Sequence, residues 1–163
     1  MRREISVSWS DPAALAAAGR RMSGLDFLRA IRDGELAGPP IAVLLGMQLA
    51  EVDDGRAVFE CLPGEQHYNP IGVVHGGLAM TMLDSAMTCA IQTRAPAGAG
   101  FTTVEAKTNF VRPITAATGR IRAIGALIHA GSRLATAEGR IVDAAGKLYA
   151  HATTTCIVLN GGV

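Results

Sequence analysis

The chain has 163 residues, 49% of them apolar, and a formal net charge of +1. That length supports one domain with a real core, and that composition belongs to a packed globular protein rather than a disordered tail. A charge so near zero argues against nucleic-acid binding through bulk electrostatics, and only seven aromatic residues leave little surface for stacking bases.

The first 21 residues contain no apolar run of signal-peptide length, and no uninterrupted apolar stretch in the sequence reaches spanning length, so no membrane segment is expected. Residues 1–40 read as a helical N-terminal extension. Asp11 is a good N-cap, Pro12 suits the first helical position, and an alanine-rich run follows. Ser23 opens a second helix, with Asp26 three residues on. Leu25, Leu28 and Ile31 share one face of it, and Gly34 is a stop signal. The segment GPP at 38–40 is a break, so the main domain is expected over 41–163.

Within residues 41–62, two strands are expected, VLLGMQLAEVD and RAVFECL, around the turn DDG. A loop over 63–75 leads to a helix over 76–93, rich in Ala, Met and Leu and free of proline. Three further strands and a fourth follow: FTTVEAKTNFV, GRIRAIGALIHA, RLATAEGRIVDA and LYAHATTTCIVL. Short connections between consecutive strands predict an antiparallel meander. The fold class is α+β: one long helix, apolar nearly all round and therefore buried nearly all round, wrapped by a curved antiparallel sheet of five to six strands.

Cys61, Cys89 and Cys156 are far apart, with no CxxC pair, which indicates neither a zinc ribbon nor a disulfide framework. They fit a reducing, cytoplasmic setting. His67, His129 and His151 do not share metal-ligand spacing with His75, and no metal or cofactor is expected.

The stretch HYNPIGVVHGGLAMTMLDSA, residues 67–86, concentrates the chemistry. Asp84 places a carboxylate in an apolar helix, where an acid is neutralised, paired or used. The alternative is a structural ion pair. His75 lies nine positions earlier. At about 100° and 1.5 Å per residue the two point to opposite sides of the helix, about 13 Å apart, so they meet only across a two-fold axis between subunits. Gly76 and Gly77 stand at the helix start, where N–H groups lack intrahelical partners and the dipole favours negative charge. Such a place suits a developing oxyanion, and equally a tight turn. Asn69 and His75 frame the same loop, as ligands of water or a carbonyl or as holders of the loop shape. No nucleophile elbow, P-loop or dinucleotide fingerprint is present.

The run NPIGVVHGGLAMTMLDSA, followed by TTVEAKTNFVRPI, resembles the hotdog-fold acyl-CoA thioesterases, in particular the phenylacetate-degradation-type (4-hydroxybenzoyl-CoA thioesterase-like) group. The likeness covers roughly residues 41–159. It implies a site between subunits. Asp84 is then the catalytic carboxylate, as general base or nucleophile. Gly77 together with Gly76 polarises the thioester carbonyl, Asn69 and His75 position carbonyl or water, and the Thr103 hydroxyl orients water. It implies that Arg112 and Arg133, both beside turns, meet coenzyme A phosphates; ordinary solvated charges are the alternative. Met80 and Met87 would line the acyl pocket, or belong to the core. A homodimer with composite sites, joined into a homotetramer, acting on acyl-CoA is the expected assembly. The fold also supports hydratases and acyl-CoA-binding modules, which remain the alternatives to hydrolysis.

Overall fold

The structure, a computed structural model, describes residues 2–160. Helix α1, Pro12–Gly19, is capped by Asp11, whose Oδ1 accepts from the Ala13 N–H at 2.9 Å. Helix α2, Gly24–Arg32, starts at Ser23, whose hydroxyl accepts from the Asp26 N–H at 3.2 Å and donates to Asp26 Oδ2 at 2.7 Å. Both starts lie where the capping residues put them. Just past α2, Gly34 adopts a φ of +77°, a left-handed conformation suited to glycine.

The first expected strand is shorter than the sequence suggests. Pro40–Leu45 form a short helix, α3, with Pro40 at its first position and Gly46 closing it at φ +63°. Proline at the start and a left-handed glycine at the end outweigh the β-preference of Val43. Strand β1 therefore covers only Met47–Asp53, and it turns at Gly55 into β2, Arg56–Cys61.

The long helix α4 spans Gly76–Gln92. Strands β3, Ala99–Phe110, β4, Ile121–Ala130, β5, Leu134–Asp143, and β6, Leu148–Asn160, complete one six-stranded antiparallel sheet. Its order is β1-β2-β4-β5-β6-β3. The expected meander is thus corrected at one strand: β4, β5 and β6 follow one another, but β3 lies at the far edge and pairs only with β6. The reason is α4 itself. It leaves β2, crosses the face of the sheet, and delivers the chain to the opposite edge, while β4 returns to pair with β2.

The core lies between α4 and the sheet. Met82, Leu83, Met87 and Ile91 are fully buried there. Each contributes about 1.5–3 kcal/mol of burial. Gly125 on β4 makes the close approach possible: a Cβ there would stand 2.2 Å from the Ala86 carbonyl oxygen. The helix is buried on one face only, not all round. Its other face carries Met80, 45% exposed, and the half-exposed Thr81, Asp84, Ser85 and Thr88. One sheet covers one side of a helix, so Asp84 is half-exposed in the single chain rather than sealed in a core.

The N-terminal helices are not a loose appendage. Leu28 of α2 belongs to the same apolar cluster as α4 and the sheet. The Gly24 N–H donates to the Ala95 carbonyl at 2.9 Å, and a Cβ on Gly24 would stand 1.8 Å from the Gln92 carbonyl oxygen. A boundary at 40/41 falls at the first turn of α3.

Candidate active site

Asp84 projects from the middle of α4 toward β3. Its Oδ1 accepts from the Thr103 hydroxyl at 2.8 Å and from the Thr88 hydroxyl, one helical turn on, at 3.5 Å. The two hydroxyls lie 3.2 Å apart, and the Cys156 thiol of β6 is 3.9 Å from each. Both contacts fall on Oδ1, and Asp84 lines a cavity of about 400 Å³ together with Ser85, Phe101 and Thr102. Thr103 reaches Asp84 through an irregularity in its strand. The pairing of β3 with β6 shifts between Thr103 and Glu105, a bulge at Val104. Bulges re-aim neighbouring side chains. Thr88 was not singled out in the sequence; its place at i+4 from the acid was the available signal.

The Cys89 thiol lies on the next position of α4. Burial pushes it up to about 12, with the Asp84 charge adding to the effect. It keeps its proton and serves as an apolar wall rather than a nucleophile.

A second group gathers at the start of α4. The loop before it is tied by Asn69, whose side-chain oxygen accepts from the Ile71 and Val73 N–H groups at 3.1 and 3.3 Å. Asn69 thus holds the loop shape, one of its two expected roles. His75 caps the helix: its Nδ1 accepts from the Gly77 N–H at 2.8 Å. The His75 N–H itself donates to the His67 carbonyl at 2.7 Å, and the Leu78 N–H to the His75 carbonyl at 3.0 Å. Of the four N–H groups that an α-helix leaves unpaired at its start, that of Gly76 remains open. Among the described residues the Gly76 N–H thus has no hydrogen-bond partner, while that of Gly77 is engaged by the capping histidine. This open amide lines a cavity of about 420 Å³ with Asn69, His75, Phe110 and Arg112.

The two groups are separate within one chain. Gly76 and Asp84 are eight positions apart on one helix, about 12 Å along its axis. The arginines divide in the same way. Arg112, just past the end of β3, donates from its guanidinium to the Leu148 carbonyl on the Gly76 side. The Arg133 carbonyl accepts from the Val158 N–H, and Val158 pairs with Phe101, near the Asp84 end of β3. Phe101 and Phe110 are nine residues apart on β3, about 30 Å at strand spacing. Arg112 and Arg133 of one chain therefore lie at opposite ends of the sheet.

The methionines are not partners either. Met87 is fully buried, with its Sδ and Cγ packed over Gly139 of β5, so it belongs to the core and not to a substrate pocket. Met80 lies one turn before Asp84 on the same, exposed face.

A long helix laid across a six-stranded antiparallel sheet, with a carboxylate at mid-helix and an open amide at its start, is the architecture of a hotdog protein. Residues 71–150 match the thioesterase superfamily. No curated protein matches the sequence. Among solved structures, it is similar to a phenylacetic acid degradation-related protein of Ralstonia eutropha, at 29% identity and a TM-score of 0.72, covering 80% of this chain and 98% of that one. It is similar also to a variant of the phenylacetic acid degradation protein PaaI of Thermus thermophilus, at 28% identity and a TM-score of 0.66, over 73% and 98% of the two chains. A thioesterase family protein of Silicibacter pomeroyi matches at 25% identity and a TM-score of 0.72, over 82% and 99%. Among the described residues, no helix is long and apolar enough to cross a membrane.

Proposed function

We propose that this protein hydrolyses an acyl-CoA thioester, at two equivalent sites formed between the subunits of a homodimer. The observation that carries the proposal is the division of the machinery along α4: an anchored carboxylate at Asp84 and an open amide at Gly76, too far apart to serve one carbonyl. An antiparallel pair of such helices would bring Asp84 of one subunit to Gly76 of its partner. Strand β3 supports this assembly. It is a 12-residue edge strand, with Val104 and Phe110 exposed. An edge of that length invites pairing with a second copy.

At such a site the Gly76 N–H polarises the thioester oxygen and stabilises the oxyanion, aided by the dipole of α4. Asp84, held by Thr103 and Thr88, takes a proton from water through Oδ2 as the water oxygen attacks the carbonyl carbon. The tetrahedral intermediate then expels the coenzyme A sulfur, which recovers that proton, and the free acid remains. A covalent route through Asp84 as nucleophile uses the same atoms in another order. His75 and Asn69 keep the amide in place. Arg112, beside the open amide, is placed to meet a phosphate of coenzyme A, and Arg133 serves the opposite end. Dimers joined into a tetramer, in the cytoplasm, complete the proposal.

Thiol release from short, long and aromatic acyl-CoAs, by wild type beside Asp84→Asn, is the test. Turnover that collapses in the variant is expected; an equally active variant would remove Asp84 from the chemistry, and no turnover by wild type would overturn the assignment.

A further inference from the structure

A third cavity, of about 390 Å³, lies under the N-terminal helices. Its walls come from Leu15 of α1, Phe27 and Ile31 of α2, and Val43 of α3, above Leu49 of β1 and Gln92 of α4. This volume lies in the range of roughly 300–1,000 Å³ found for small-molecule sites. The cavity is not isolated. Pro39, Met47, Phe59 and Cys89 line it and also line the cavity that holds Asp84. The two spaces therefore share one wall. That wall is apolar throughout, since the Cys89 thiol stays protonated.

We propose that this space is the acyl slot, so that the substrate is the thioester of an extended aliphatic acid whose tail runs from Asp84, past Cys89, beneath α2 and α3. The inference rests on the thioesterase assignment and deepens it. The lining of the slot comes from three successive layers, α4, then β1 and β2, then α1 and α2, a path that suits an extended chain. The N-terminal helices roof it, which gives them a part in specificity. About a fifth of this chain lies outside the match with the Ralstonia protein, which covers 80% of this chain and 98% of that one.

The test reads binding apart from hydrolysis. S-alkyl-CoA thioethers, from ethyl to dodecyl, cannot be hydrolysed, and calorimetry gives their affinity for the full-length protein. In wild type, affinity is expected to rise about fourfold per added methylene, the equivalent of about 0.8 kcal/mol per buried CH₂, until the slot is full. Val43→Trp, at a position 40% exposed and tolerant of size, should end that rise at a shorter chain. Phe27→Ala should extend it to a longer one, and guards against a misfolded tryptophan variant. The ratio of kcat/KM for decanoyl-CoA over acetyl-CoA should shift in the same two directions. A flat affinity profile, or the same plateau in all three proteins, overturns the slot even if hydrolysis is found. A chain-length profile that moves with the variants upholds the slot, and if no acyl-CoA is then hydrolysed it is the thioesterase assignment that falls.

Discussion

The Thr103 hydroxyl donates to Asp84 Oδ1 at 2.8 Å and so joins the edge strand β3 to the middle of α4. A hydrogen bond to a charged group contributes about 1.5–3 kcal/mol. Thr103→Val removes it while keeping the shape, and should lower kcat about tenfold or more. Thr103→Ser restores the hydroxyl and should recover most of the rate. Asp84→Asn should cost about 10²–10⁴-fold, the range of a lost general base. Steady-state kinetics on the preferred acyl-CoA, with circular dichroism to verify folding, measures all three. Equal kcat in the valine and serine variants would release Thr103 from this role.

Gly76 can be tested through its neighbour. A Cβ at Gly76 would stand 3.0 Å from Phe110 Cζ, on a ring that is 55% exposed. Such a ring can move, so Gly76→Ala should fold. The new methyl group crowds the open amide, and kcat should fall about 10²-fold, as for a lost oxyanion donor. Adding Phe110→Leu relieves the contact and should not restore kcat. Recovery in the double variant would mean that packing, not the amide, was at fault.

The proposed composite sites predict complementation. Asp84→Asn and Gly76→Ala disable different halves of each site. Unfolded together and refolded as a mixture, half of the dimers are mixed, each with one intact site of two. About a quarter of wild-type activity should return. No recovery above either variant alone would place the whole site within one chain.

Gly24 ties the N-terminal helices to the rest. Alanine is worth about 1 kcal/mol more than glycine in a helix interior. Here its Cβ would fall 1.8 Å from the Gln92 carbonyl oxygen, which belongs to helical backbone and cannot swing aside. Overpacking of this kind costs about 1–3 kcal/mol, occasionally more. The clash outweighs the propensity, and Gly24→Ala should destabilise by about 2 kcal/mol or more in urea unfolding.

His67 makes the loop before α4 sensitive to acid. Burial pushes its imidazole below its ordinary value, against a hydrogen bond to the Leu45 backbone that raises it. The Gly64 N–H donates to its Nδ1 at 3.1 Å, a bond that needs the neutral ring. A group depressed on folding binds its proton more readily when unfolded. Its contribution is therefore complete above about pH 6.5, the unfolded value, and is lost as pH falls through the folded one. Tm should drop between pH 7.5 and 5.5 by more in wild type than in His67→Gln. Equal drops would exclude His67 as the source.

Much of the fold was legible because its signals are local. Asp11, Ser23 and Gly34 mark helix ends through bonds and backbone angles that span two or three residues. The helix start at Gly76 and the spacing from His75 to Asp84 were visible in the same way, since helix geometry converts a count of residues into an angle and a distance. The family likeness rested on those same positions. α3 was missed because the β-preference of its residues competed with a proline start and a glycine stop, and the end signals won.

What only the tertiary structure decided is long-range. No local signal says that β3 passes to the far edge of the sheet, because strand order follows from where α4 carries the chain. Nor does the apolar pattern of α4 say that one sheet covers one face, leaving Asp84 half-exposed and Met87 in the core. The sequence by itself determined where the acid and the amide stand along α4. The Thr103 anchor set by a strand bulge and the cavity beneath the N-terminal helices come from contacts between residues far apart in the chain, which only packing brings together.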